Sequence, residues 1–308
     1  MGGWRPFLFL FGGLLFASTS GPFFLASGMD AYTTAFSRMA LAGGLLLGVE
    51  LLRRPPWSGP GAESWRRVRA LLPSILLGAA IFALHLLLWT AAFSFTSLGS
   101  SALLIVAQPA MAMVIGGLFG ERFRPAMGVS IALAALAVFL VAAGDLEIGP
   151  SAWIGDGMCL LAALCVTLFI PVTQAARRAL PMSLFLGLTF SFGAVLLAPF
   201  LRVSNFAIVE YGWREWRWLL GIVFVSTIGG HGLTNLAARR LSLFRMQVVT
   251  LLQPLLVLAI GAHLLDVRTG STHLGAAALL VLAVAVGLWG TRERVLLPTR
   301  LTARFPGA

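Results

Sequence analysis

The residues able to do chemistry are few, and they stand inside apolar sequence. His85 is followed one helical turn later by Trp89, and His231 is flanked at the same spacing by Thr227 and Asn235. Gln108-Pro109 and Gln253-Pro254 each set an amide beside a proline, with Ser101 two turns before the first pair and Thr250 one turn before the second. Arg38 is the one definite charge inside an apolar run. Amides, hydroxyls and imidazoles beside an indole face suit a cavity for a polar solute with an apolar or aromatic end. They do not suit a hydrolase. There is no His-Glu-x-x-His pattern and no acidic pair, and nothing fixes Ser101 against a histidine, so neither an enzyme nor a cofactor is expected. The two cysteines, Cys159 and Cys165, lie six residues apart, about 600° around one helix, so no disulfide or metal cluster is readable.

The elements that position these groups follow from composition. Of 308 residues, 59% are hydrophobic and only 11% charged, and the mean hydropathy is +0.93. An average soluble chain carries about 25% charge, so a water-soluble globule is excluded. A helix crosses a bilayer with about 20 mostly apolar residues. Ten segments fit, at roughly 6–26, 31–52, 71–92, 97–118, 125–143, 153–174, 182–200, 216–237, 243–264 and 273–290. Arg53-Arg54-Pro55-Pro56, Glu121-Arg122, Gly144-Asp145 and Arg177-Arg178 mark breaks between them. The run after Arg5 reads as the first span rather than a signal peptide, because the rest of the chain has the same character. The expected fold is an all-α integral membrane protein.

The charges orient it. The net charge is +11, and every basic residue is Arg. In a soluble chain this excess would point to nucleic acid; here the arginines fall between apolar runs, and no nucleic-acid partner is expected. With both termini cytoplasmic, seventeen arginines lie on the cytoplasmic side and four (Arg202, Arg214, Arg217 and Arg268) on the other. That is the positive-inside pattern, and it points to the bacterial inner (plasma) membrane. Trp57 and Trp65 would anchor one interface, and Trp153, Trp213, Trp216 and Trp218 the other.

An internal repeat divides the chain. At an offset of 145 residues Ser97 meets Ser242, Gln108-Pro109 meets Gln253-Pro254, Gly116 meets Gly261, and Glu121 meets Asp266. His85 and His231 fall within one residue of that register. The expected units are residues 1–144, 145–291 and a short cytoplasmic tail, 292–308. Five spans per half is an odd number, so the second half enters the membrane inverted, an architecture of secondary transporters with a site near mid-bilayer.

On these residues the chain resembles the drug/metabolite transporter superfamily in its ten-span EamA-type branch, over nearly its whole length. Phe36-Ser37-Arg38 matches the Arg habitual in the second span of that family. Pro109 with Glu121-Arg122 matches its fourth-span Pro and following acid, echoed by Pro254 and Asp266. Gly155-Asp156 and the run Leu160 to Cys165 open the sixth span in the family's manner. The first span departs, with Phe16-Ala17-Ser18 where the family often has Trp-Gly. Within the superfamily the chain most resembles the YddG-type exporters of aromatic and neutral amino acids. The resemblance implies solute transport by alternating access. Small multidrug relatives couple to protons through a first-span Glu, which Ser18, Thr19 and Ser20 do not supply.

Several residues admit two readings. Pro109 and Pro254 would free the carbonyls of Ile105 and Thr250 as acceptors beside Gln108 and Gln253, or simply kink the helices while the amides bond between them. His85 and His231 line a cavity, or form satisfied interhelical bonds, or relay protons without any intramembrane carboxylate. Arg38 serves structure or gating by pairing with helix carbonyls or Asp30, or it binds a substrate carboxylate. Pro22 and Pro171 provide hinges or inert kinks. Gly44 with Gly48, and Gly116 with Gly120, allow close helix approach within the chain, or a dimer in place of the expected monomer. Glu50 is a boundary ion pair with Arg53 and Arg54, and Asp156 sits at a helix start.

With almost no charge in the pathway, the expected substrate is a small neutral or zwitterionic metabolite, foremost an aromatic or other neutral amino acid. The alternative is a multidrug or generic hydrophobic-solute exporter of the same fold. The lipid bilayer is the other partner. A reporter fused to the C-terminus should read cytoplasmic; a periplasmic signal would overturn the orientation.

Overall fold

The computed structural model describes residues 4–142, 152–202, 211–265 and 271–290. Every regular element among them is helical. In chain order these are α1 (Arg5–Ala17), α2 (Ser20–Ser27), α3 (Ala31–Arg53), α4 (Gly59–Ala92), α5 (Leu98–Leu104), α6 (Gln108–Leu118), α7 (Pro125–Ala142), α8 (Ala152–Val172) and α9 (Gln174–Ala179). Then follow α10 (Met182–Leu197), α11 (Trp213–Gly221), a π-helical segment (Ile222–His231), α12 (Gly232–Ala237), α13 (Leu243–Thr250), α14 (Gln253–Leu265) and α15 (Ser271–Gly290).

Eight stretches are long and apolar enough to cross a bilayer: Arg5–Ser27, Ala31–Arg53, Gly59–Ala92, Leu98–Leu118, Ala152–Val172, Met182–Leu201, Trp213–Ala238 and Leu243–Leu265. The fifth and tenth expected segments are shorter apolar helices, Pro125–Leu140 and Gly275–Gly290. Leu77, Leu118, Phe139, Val195 and Val281 are exposed, an apolar outer surface that only lipid would solvate well. The unit boundary at 144/145, the tail 292–308, and Asp145, Glu147, Asp266 and Arg268 lie outside the described residues.

The third expected span is corrected. Its helix starts at Gly59 rather than near residue 71 and carries Arg66, Arg67 and Arg69 on its surface. Local chemistry explains the early start. The Ser58 hydroxyl accepts from the Gly61 N–H at 3.1 Å, and Pro60 lies in the first turn, where its missing N–H costs nothing. Glu63 then braces Arg66 and Arg67 on the same helix face. Asp30 caps α3 by accepting from the Thr33 N–H at 2.8 Å.

Four of the apolar stretches are interrupted in mid-course. The first breaks at Ser18–Thr19, between α1 and α2. The fourth narrows to a 3-10 turn over Ile105–Ala107 before Gln108-Pro109. The stretch Trp213–Ala238 widens into the π segment, and Leu243–Leu265 breaks at Leu251–Leu252 before Gln253-Pro254. Both Gln-Pro pairs therefore open the second half of an interrupted span.

Packing repeats between the halves. Helix α3 packs on α10, α7 on α15, and α5 with α6 on α14 with α13. Helix α4 packs on α8, and its counterpart contact is α1 on the π segment and α12. Glu121, just beyond α6, accepts from the Leu243 N–H at 2.7 Å and the Phe244 N–H at 3.4 Å, so the first half caps the start of α13. Burial pushes the Glu121 carboxyl up from its ordinary value, while those two N–H groups and Arg245 oppose the shift.

The expectation that Gly44 and Gly48 pack helices together within the chain is also corrected. Gly44 and Gly48 meet nothing within 4 Å. The close approach belongs to the neighbouring face, where a Cβ on Gly43 would fall 2.6 Å from the Ser191 backbone nitrogen and one on Gly187 would fall 3.0 Å from Leu47. Gly120 has φ +87°, so it ends α6 rather than packing it. Overpacking costs about 1–3 kcal/mol. Gly43→Leu should therefore lower the thermal midpoint of the purified protein in detergent and broaden its size-exclusion peak. Gly44→Leu should leave both unchanged. Equal behaviour of the two would contradict this packing.

Candidate functional site

One cavity, of about 120 Å³, lies where the interrupted helices meet. Its wall includes His85, Trp89, Ser101, Gln108, His231, Asn235, Thr250 and Gln253, together with Arg38. Thus eight of the nine expected substrate-binding residues come together. Thr227 is not part of the lining. Its hydroxyl accepts from Arg38 Nε at 3.1 Å and donates to the Ile222 carbonyl at 2.9 Å, a five-residue return made possible by the π segment.

The histidines flank an aromatic centre. His85 Nδ1 lies 2.8 Å from the Ala162 carbonyl, which can only accept, so the proton sits on Nδ1. The Phe82 ring stands edge-on to His231 at 4.8 Å and 87°, and lies 5.6 Å from His85. Phe169 and Phe190 close round it at 5.0 and 5.4 Å. Trp89 makes an edge contact with Phe93 at 4.8 Å, which holds the indole at the cavity wall.

The first Gln-Pro pair meets α13. The Thr250 hydroxyl lies 3.2 Å from Gln108 Oε1, 3.3 Å from Gln247 Oε1 and 2.6 Å from the Gln247 carbonyl. The Ile105 carbonyl is not the free acceptor expected from Pro109. The 3-10 turn brings the Gln108 N–H onto it instead. Pro254 likewise opens α14, where its missing N–H falls among the first-turn donors. Pro22 lies two residues inside α2, just past the break at Ser18–Thr19, and Pro171 is the penultimate residue of α8.

Two arginines depart from expectation. Arg38 is 1% exposed and does not pair with Asp30. Asp30 is engaged by Thr33 and by the Tyr211 hydroxyl, while Arg38 donates to the Ser20 hydroxyl at 3.1 Å as well as to Thr227. Arg177, expected as a solvated stop signal, is fully buried. Its Nε donates to Asn235 Oδ1 at 2.8 Å, Nη1 to the Ile170 carbonyl at 3.0 Å and Nη2 to the Thr173 hydroxyl at 2.5 Å. Its guanidinium also faces the rings of Phe169 and Phe185 at 5.7 Å each. Burial, with Arg239 and Arg178 nearby, lowers its pKa from 12.5 to about 9, which leaves it cationic at neutral pH. Asn235 donates one of its two amide N–H groups to the His231 carbonyl at 2.7 Å. Its side chain is thereby tied into structure at the cavity wall. Glu50 does form the expected boundary pair, with Arg54 at 3.4 Å, and also accepts from Ser183. Asp156 accepts from the Thr96 hydroxyl at 2.8 Å.

Sequence reasoning missed Phe82, Ser20, Thr234 and Gln247 as wall residues. Phe82 lies three before His85 and Gln247 three before Thr250, so the helical spacing already in use could have found both. Thr234 stands at the same spacing, three after His231, whereas Ser20 had no such signal, because the break after α1 sets its direction.

The comparisons with known proteins agree with this architecture. A family model described as the EamA-like transporter family matches twice, over residues 4–143 and 153–289. No curated protein is found to match the chain. A solved crystal structure described only as that of a protein matches with a TM-score of 0.73 at 17% identity, covering 94% of this chain and 99% of the other, a likeness of fold. With two copies of the family's unit covering nearly all of its length, the chain belongs to the EamA-like transporter family and is a membrane transporter of small solutes.

Proposed function

We propose that the protein exports small neutral or zwitterionic metabolites, foremost aromatic and other neutral amino acids, across a bacterial inner membrane. The observation that carries this reading is the cavity wall. It joins amides, hydroxyls and imidazoles to aromatic rings, and no carboxylate is among the described residues that line it. Aromatic faces take an apolar or aromatic side chain, and the polar groups take the two ends of a zwitterion. The resemblance to YddG-type exporters points the same way.

Ten spans in two inverted halves, with both termini cytoplasmic, support transport by alternating access. The arginine asymmetry supports that orientation, and the paired helix contacts support two related halves. The units are 1–144 and 145–291, followed by the tail 292–308, in a monomer. Pro22, Pro109, Pro171 and Pro254 lie at or beside helix interruptions or ends, where a rocking motion could be accommodated with few new unpaired backbone groups. Arg38 would gate or bind. A hydrophobic-solute exporter is the second reading, favoured by Leu10, Leu14, Phe82, Phe169 and Met246 in the same wall.

Uptake into proteoliposomes of labelled aromatic, neutral, acidic and basic amino acids tests the reading. Aromatic and neutral substrates should be carried, and preference for a lipophilic dye would favour the second reading. Gln108→Ala, Gln253→Ala and Trp89→Ala should each lower flux roughly fivefold, the loss expected for one hydrogen bond or ring contact, at unchanged expression. Unchanged flux in all three would remove the cavity as the site. An imposed proton gradient should not alter the rate. If it does, the histidines carry protons.

A further inference from the structure

Among the described residues of the cavity wall Arg38 alone is a strong base, and none is an acid to answer it. Glu50 pairs with Arg54, and Glu63 with Arg66 and Arg67, and none of these pairs lies at Arg38. A guanidinium has five N–H groups. Nε and one N–H of Nη1 are taken by the Thr227 and Ser20 hydroxyls, each at 3.1 Å. Nη2 bonds to no described residue, yet it is not among the buried nitrogens left without a partner, so it keeps access to the cavity. Two hydroxyls orient the fork without neutralising it. A buried cation without a counter-charge is costly, and an anionic group on the solute would relieve it.

The opposite need appears across the cavity. The Thr250 hydroxyl has one proton and three acceptors in reach, two of them the amide oxygens of Gln108 and Gln247. At least one amide oxygen is therefore left as an acceptor on that wall. The cavity thus has a cationic wall on α2, α3 and the π segment, and an acceptor wall on α6 and α13.

We infer that the substrate must carry a carboxylate, which docks on the free edge of Arg38, while its ammonium group turns to the Gln108–Thr250–Gln247 wall. Arg38 is then the specificity-determining residue. α-Amino acids are accepted, and their amides and decarboxylated amines are rejected because they bring no anion, and the amines bring only positive charge, to Arg38. This rests on the amino-acid reading above and adds which end of the molecule goes where.

Competition against labelled phenylalanine in proteoliposomes tests it. Phenylalaninamide and phenethylamine should compete at least about tenfold more weakly than unlabelled phenylalanine, the discrimination expected for a lost charge-assisted hydrogen bond. Arg38→Gln should bring phenylalanine and phenylalaninamide within about twofold of each other. Arg38→Lys, which keeps the charge, should retain a weakened acid preference. Equal competition by acid and amide in the unaltered protein overturns the inference even if Arg38→Gln does not fold, and so does a full acid preference surviving in Arg38→Gln. In either case phenylalanine transport itself leaves the proposed function standing. Carriage of a lipophilic dye with no amino-acid transport removes the function and the carboxylate requirement together.

Discussion

A bilayer interior supplies no water to a broken helix, so each backbone N–H and C=O must find a partner in the protein or face a cavity. The irregular places in this chain obey that constraint together. The break after α1, the 3-10 turn before α6, the π segment and the break after α13 all border one cavity, through Ser20, Ile105, Ser226 and Thr250. Each interruption is patched locally. The Ser18 hydroxyl donates to the Leu14 carbonyl at 2.7 Å, the Gln108 N–H to Ile105, the Thr227 hydroxyl to Ile222, and the Leu251 N–H to Val248 at 3.2 Å. Four departures from the regular helix thus converge on one polar pocket within apolar surroundings.

Charge follows the same logic of partners. Arg66 and Arg67 lie on the exposed start of α4, held by Glu63. Arg177 is enclosed, with three of its five N–H groups on Asn235, Thr173 and a carbonyl, and with two rings against its face. That set ties the segment after α8 to α12. Arg38 has only two hydroxyls and keeps a free edge. One residue type therefore serves as surface charge, structural knot and candidate recognition group, and the difference lies in what surrounds each guanidinium.

Much of the fold was legible because membrane helices obey length and hydropathy. Among the described residues the apolar runs correspond to helices, and the Gln-Pro pairs of the 145-residue offset to interruptions of two spans. The Gln-Pro pairs marked two interruptions correctly, since proline cannot continue a hydrogen-bonded helix. The start of α4 was misplaced because arginines were read as loop, whereas Ser58 and Pro60 carried the helix-start signal. Gly44 and Gly48 had the right spacing on the wrong face. Gly43, one residue earlier and 100° away, meets α10 instead.

The sequence by itself determined that this chain is a helical membrane protein with a repeated unit and few polar groups in its apolar runs. Hydrophobicity and spacing are local properties that survive without coordinates. Only the tertiary structure decided which of those polar groups share a wall. It turned Thr227 onto Arg38, committed Asn235 to Arg177, and brought Gln247 and Phe82 into the cavity. These outcomes depend on helix rotation, and a single break or π turn rotates every residue beyond it, a change that no count of residues along the chain records.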